Sequence, residues 1–463
     1  MNSLKYYCEM AFARWDRNYL IYALLILLGM YSLGQLTAPY VAHDEYDWLL
    51  KGFNQGFESP LSKAGSEGRW GNYVWSQVSH HLTIYSAFGI YLVLFSAMCL
   101  AMVRVVSPQA GIFAALLFFL APMTADTAKW PVTQVTGVAV TLLGCVALLR
   151  SRDDGRRRLV MAVSVVAGFL FYPSFGPLFL LMYAAACAGT RRSIIMGAVV
   201  YALAFVCAVL LVFSLNFHYH GNFGIKPAAW REATPLLQGG LLSVNVDRYL
   251  AYFTLLKGIW PALLAGGVGF VLCMALGVRV RQCLAALLYG AMLLAMDASL
   301  SILSGVGLPL RSTLWLWLLL CMPVIFLVHE RRTNIYGLLL AAPLVLVGVS
   351  SWNAIYSNTR TVYPAMNALG NDLARVQAAN AGRYDDVILF GDARSNATMK
   401  WLHGNRALRN YLFKEFGIYA RPCEPTVCDR IESELANRSE NPEWFIIDRH
   451  LVWILAPKRD DGY

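Results

Sequence analysis

Apolar runs dominate the chain, and their lengths set the first expectation. About eleven of them approach the roughly 17–25 residues that a ~30 Å hydrocarbon layer requires. They cover 18–39, 82–103, 107–123, 131–149, 159–171, 174–189, 193–215, 249–277, 282–303, 312–328 and 335–351. The pair over 159–189 also reads as one long broken helix, because Tyr172-Pro173-Ser174-Phe175-Gly176-Pro177 interrupts it with two prolines and a glycine. Before the first run, Leu4, Tyr7, Ala11, Phe12 and Trp15 recur at helical spacing opposite Lys5, Arg14 and Arg17. That pattern predicts an interfacial helix over 1–17. After about Trp352 the chain turns polar. It shows a helical pattern at 362–378, a strand-like Val387-Ile388-Leu389-Phe390, helical pieces near 395–415 and a second strand at Trp444-Phe445-Ile446-Ile447. The expected organisation is therefore an interfacial helix (1–17), an α-helical polytopic membrane domain (18–351) with an outer loop at 40–80, and a small α/β domain (352–463).

Composition agrees: 58% of the 463 residues are hydrophobic and 14% charged, with a mean hydropathy of +0.50, which excludes a large soluble domain. Net charge is +10, and its placement matters more than its size. With the N-terminus in the cytoplasm, the short inner loops hold Arg104, the Arg150–Arg158 cluster, Arg191, Arg192, Arg279, Arg281, Arg331 and Arg332, whereas the longer opposite loops hold fewer cations. The positive-inside rule then puts the 40–80 loop outside the cytoplasmic membrane, and an odd number of spans puts the C-terminal domain there with it. Topology accounts for the arginine excess, and no nucleic-acid partner is implied. Most cysteines lie in or beside apolar runs as small fillers. Cys423 and Cys428 lie close together in the polar tail, where an oxidising compartment favours a disulfide; a metal pair would need a second Cys-x-x-Cys.

Candidate chemistry concentrates in the first outer loop, His43-Asp44-Glu45-Tyr46-Asp47-Trp48 followed by Glu67-Gly68-Arg69-Trp70. Acidic pairs at a span end are often simple solvation. Here they are accompanied by a guanidinium suited to phosphate and by an aromatic shelf. A carboxylate there can deprotonate an attacking hydroxyl. Two amphipathic pieces, 46–57 and 69–80, are expected to lie flat on the outer surface. Asp44, Glu45 and Asp47 offer oxygens of the kind that Mg²⁺ or Ca²⁺ takes, but no fourth carboxylate is near and no tight metal site is expected.

One span, an acidic pair, an amphipathic stretch and Gly68-Arg69-Trp70 together resemble the serotype-converting O-antigen glucosyltransferases (the glucosyl transferase II family) of the GT-C class. Tyr172-Pro173-Ser174 loosely matches their later Tyr-Gln-Pro/Ala. Glu45 stands where a second Asp is common, Lys51 where an Arg is expected, and Pro173 replaces the Gln. The resemblance implies a GT-C-like fold and a polyprenyl-phosphate sugar donor, glucose favoured. It further implies transfer with inversion to a periplasmic acceptor such as O-antigen of lipopolysaccharide. Asp44 would be the general base, with Glu45 beside it.

Arg69, Trp70, Lys51, Lys129, Tyr172, His81 and Arg311 are the expected substrate-binding residues, although loop lysines and interface histidines are more often structural. His218, His220 and Arg231 in the 216–248 loop are candidates for an acceptor path. Asp297 lies within a span, with Arg311 as its expected partner. Pentose (arabinofuranose) transfer to a cell-envelope glycan or pilin-type protein is an alternative. An O-antigen polymerase or ligase would instead rely on Arg and His in a large middle loop, and a lipid-linked glycan transporter on repeats and deep charges, of which only Asp297 is seen.

Overall fold

The computed structural model describes residues 17–37, 39, 41–42, 45–50, 59–187, 190–225, 231–330, 332–357, 359–402, 404–438 and 442–456. The interfacial helix expected over 1–17, the base candidate Asp44 and Lys51 lie outside them, apart from the Arg17 backbone.

Among the described residues, seven helical stretches are long and apolar enough to cross a membrane: Ile84–Val106, Pro131–Arg150, Arg191–His220, Leu242–Ala275, Val280–Ser304, Leu310–His329 and Asn334–Ala379. The chain is thus a helical membrane protein. The other four expected runs form shorter helices. Arg17–Ser32 opens the chain. The 107–123 run is no single helix: it breaks into Ile112–Phe119 and Pro122–Thr127. Eight residues reach only about 12 Å, and Pro122, which starts the second piece, cannot continue the first.

The 159–189 run forms an antiparallel pair, which rules out one long broken helix. Asp154–Phe171 ends at Tyr172, a 3₁₀ turn covers Pro173–Phe175, and Gly176–Ala186 returns. At the far end of the hairpin, Arg157 Nη1 donates to the Ala186 carbonyl at 2.5 Å, and Ser193 Oγ donates to Asp154 at 2.5 Å. Tyr172 is therefore at the tip opposite the arginine-rich end. The neighbouring Pro131–Arg150 helix packs close because Gly144 has no side chain; a Cβ there would stand 2.5 Å from the Phe179 ring.

Beyond the membrane part, four strands form one sheet in the order β2-β1-β4-β3. They are β1 (Asp386–Gly391), β2 (Ala420–Arg421), β3 (Trp444–Ile447) and β4 (His450–Ala456). β1 runs parallel to β2 and β4, and β3 pairs antiparallel with β4. Val362–Ala379, Asn405–Phe416 and Pro425–Ala436 accompany the sheet. Cys423 and Cys428 are bonded, with Cα atoms 5.6 Å apart. This unit is tied to the 40–80 loop: Lys414 Nζ donates to the carbonyls of Leu49 and His80, each at 3.0 Å.

Candidate functional site

The site begins at a turn that only glycine accommodates well. Helix Pro60–Glu67, capped by the Ser59 side chain, ends at Gly68 in the left-handed region with φ 73°. A Cβ at Gly68 would meet Ile225 Cδ1 at 2.8 Å and Val212 Cγ1 at 3.0 Å, so both backbone sign and space demand glycine. The next residue, Arg69, is the N-cap position of helix Trp70–Ser79. Its guanidinium lies 4.5 Å from the Tyr172 ring centroid and pairs with Glu67 at 3.0 Å. Two regions more than a hundred residues apart are thereby joined at one cation–π contact.

Across from this pair, Asp126 gathers two more cations. Lys129 Nζ stands 2.6 Å from one of its oxygens and Arg311 Nη1 3.4 Å from the other. Both cations also lie over the Trp130 ring, at 5.2 Å and 4.7 Å. The Pro173–Phe175 turn packs on the Leu310–Thr313 turn, which brings Tyr172 and Arg311 to one place. Arg231 completes the group. Burial pulls its pKa below the ordinary arginine value, the Arg69 charge pushes the same way, and Glu67 opposes them, with smaller contributions from Arg311 and Tyr172. Among the described residues the cluster thus sets four cations (Arg69, Arg231, Arg311, Lys129) against two carboxylates (Glu67, Asp126), a net excess of two positive charges. Cations in such excess, with Arg69 and Arg311 partly buried and Arg231 exposed, suit a phosphate-sized anion.

The first loop is anchored beside this cluster. Ala42 N–H donates to the Lys129 carbonyl at 2.7 Å. Glu45 is fully buried and accepts from Thr133 N–H at 3.0 Å and from the Thr133 hydroxyl. Thr133 occupies the first turn of Pro131–Arg150, where backbone N–H groups have no partner within the helix. The Glu45 carboxylate therefore caps that helix at its positive end. Both Glu45 oxygens are within reach of the Thr133 N–H, at 3.0 Å and 3.3 Å, donors that a divalent ion would have to replace. Among the described residues, no group of three or more His, Cys, Asp or Glu side chains comes together around a metal position; Asp44 and the Asp47 side chain lie outside that set.

Several expected ligands serve the scaffold. Trp70 donates its indole N–H to Asn216 Oδ1 at 2.7 Å and packs on Tyr219 and His220, with ring centroids at 5.0 Å and 5.6 Å. His81 is exposed and lies against His80, with ring centroids 3.8 Å apart and the rings tilted by 40°. Helix Trp70–Ser79 is one-sided, with Val74 and Val78 exposed on its outward face. Trp70, Asn72, Ser76 and Ser79 are buried against the protein, and Asn72 and Trp75 donate to the carbonyls of Thr133 and Val132. Asp297 accepts from the Trp315 indole at 3.0 Å, so Arg311, engaged with Asp126, is not the partner expected for it. Asn216 and Lys414 are organising residues that carried no sequence signal, because their partners are backbone carbonyls and a distant indole.

The chain matches no family model, curated protein or solved structure.

Proposed function

We propose that the chain is a membrane glycosyltransferase of GT-C type, with about eleven membrane-crossing elements. It would take a sugar, glucose favoured, from a polyprenyl-phosphate donor and transfer it to a periplasmic glycan, lipopolysaccharide or protein acceptor. The observation that carries this reading is the joining of Arg69, Tyr172, Arg231, Arg311 and Lys129 into one cationic, aromatic-floored cluster beside the anchored first loop. In the reaction, Asp44 takes the proton of the acceptor hydroxyl, whose oxygen attacks the anomeric carbon. The bond from that carbon to the donor phosphate oxygen breaks, and polyprenyl phosphate leaves with the electron pair. Arg69 and Arg311 offset the charge that grows on the leaving phosphate. The configuration inverts. Glu45 holds the loop on its helix, and its role is positioning.

A second reading gains from Arg231, which comes from the middle loop. A polymerase or ligase acting on a polyprenyl-diphosphate glycan relies on an arginine so placed. Donor choice separates the two: purified protein is offered a polyprenyl-monophosphate sugar and a polyprenyl-diphosphate oligosaccharide. Arg69→Ala is expected to weaken donor use roughly 10–100-fold through one lost charge-assisted contact. Asp44→Asn is expected to cut turnover by ~10²-fold or more with donor binding kept. Full activity of both variants, at unchanged thermal stability, would overturn the assignment.

A further inference from the structure

At the opposite end of the membrane helices lies a second polar cavity, of about 470 Å³, lined by Gln109, Arg279, Phe326, His329, Glu330 and Arg332 among others. Its walls are the ends of three membrane-length helices: the residues just after Ile84–Val106, the turn before Val280–Ser304 and the close of Leu310–His329. The Val280–Ser304 helix, at 25 residues, is about 37 Å long. That separates this cavity from the Arg69 cluster by a full bilayer thickness.

Arg279 is fixed in place. It adopts φ 47°, a left-handed conformation that L side chains rarely take. Its guanidinium donates to the Val106 carbonyl at 3.2 Å and Ser107 Oγ at 3.4 Å, and lies 5.0 Å from the Phe326 ring centroid. Arg332 supplies a second cation, and Glu330 is exposed. The helix leading to the cavity, Trp260–Ala275, carries exposed Val271 and Met274, and Leu276 beyond it is exposed as well. An apolar path toward the lipid thus adjoins a cationic pocket at headgroup depth.

We propose that this cavity binds the phosphate of an anionic membrane lipid from the leaflet on the Arg279 side. Among the described lining residues, two arginines against one carboxylate leave one positive charge, which suits a phosphodiester. The Val271–Leu276 surface receives the acyl chain, which inorganic phosphate lacks. The inference is independent of the chemistry at the Arg69 cluster.

The test is native mass spectrometry of the purified full chain titrated with phosphatidylglycerol, phosphatidylcholine or inorganic phosphate. Because Arg279 also ties two helices together, Arg332→Gln is measured alone and with Arg279→Gln, each with a thermal-stability control. One preferred phosphatidylglycerol is expected, with affinity falling several-fold in Arg332→Gln and roughly tenfold or more in the double variant. Phosphatidylcholine should bind equally and weakly to all. Equal phosphatidylglycerol binding by wild type and folded Arg332→Gln would overturn the site. Tighter binding of inorganic phosphate than of the lipid would overturn the lipid assignment.

Discussion

The sharpest test of the first loop is Glu45, since two roles have been considered for it: catalytic carboxylate and helix cap. The structure supplies the magnitude for the second. Its fully buried carboxylate accepts from the Thr133 N–H and hydroxyl. Hydrogen bonds to a charged group contribute about 1.5–3 kcal/mol each, and a buried donor left unsatisfied costs a similar amount. Glu45→Ala should therefore destabilise the protein by about 3–5 kcal/mol. Glu45→Gln keeps an acceptor oxygen but removes the charge at the helix N-terminus, a loss of about 1–2 kcal/mol. Thr133→Val deletes the hydroxyl half of the contact. A double-mutant cycle of Glu45→Gln with Thr133→Val, read as thermal midpoints in detergent, should show coupling, because the two residues act through one contact. Sugar transfer per folded molecule should remain within a few-fold of wild type in Glu45→Gln. An unchanged midpoint combined with abolished transfer would refute the capping argument and return Glu45 to the chemistry.

Two further outcomes follow from the same neighbourhood. Gly68→Ala forces a side chain into a left-handed turn and against Ile225 at 2.8 Å. It should cost about 1–3 kcal/mol and lower donor affinity as well, since Arg69 is the next residue; binding assays alongside thermal melts check both. Lys414→Met removes two hydrogen bonds between the Asn405–Phe416 helix and the first loop, a loss of about 2 kcal/mol after discounting for solvent screening, and limited proteolysis should then cut the C-terminal unit faster. Next to it, burial raises the Glu415 carboxyl above its ordinary 4.5, with Lys414 opposing. The folded state therefore binds more protons than the unfolded one in that window, so stability falls as pH rises from 4.5 through the folded value. Glu415→Gln should flatten that slope, and thermal midpoints measured from pH 4 upward in wild type and variant check it.

Much of the site was legible where a local backbone event marks it. Gly68 announces the left-handed turn that sets Arg69, and the prolines after Tyr172 announce the hairpin tip. What lay beyond a one-dimensional reading was direction. Trp70 adjoins Arg69 in sequence, yet consecutive helical positions differ by about 100°, and its indole goes to Asn216. His81 is eleven positions on from Trp70, but the intervening ten-residue helix carries it about 15 Å along the axis. Hydropathy is uniformly apolar over Ile112–Phe119 and marks no break within 107–123; Pro122 is the signal that the helix is interrupted there. Arg231 is a candidate for the acceptor path through its place in the 216–248 loop, with nothing local to tie it to Arg69. Only the packed structure sets its charge beside Arg69 and Arg311.

The arrangement of backbone ends explains why these side chains meet. Arg69 caps Trp70–Ser79, Lys129 and Trp130 immediately precede Pro131–Arg150, Arg311 lies in the turn before Leu314–His329, and Tyr172 precedes Gly176–Ala186. Arg69, Lys129, Arg311 and Tyr172 thus sit just before a helix begins, whereas Arg231 does not, and a helix beginning carries a partial positive charge of about half a unit. Side-chain cations and helix ends therefore add with the same sign, an arrangement unfavourable to the fold unless anions offset it. Glu45 offsets one of these helix starts, Pro131–Arg150, through Thr133. Asp126 and Glu67 partly offset the side chains. Among the described residues, the cluster of Arg69, Arg231, Arg311 and Lys129 against Glu67 and Asp126 stays positive, which suits an incoming anion. On the proposed function, that anion is the phosphate of the lipid-linked donor.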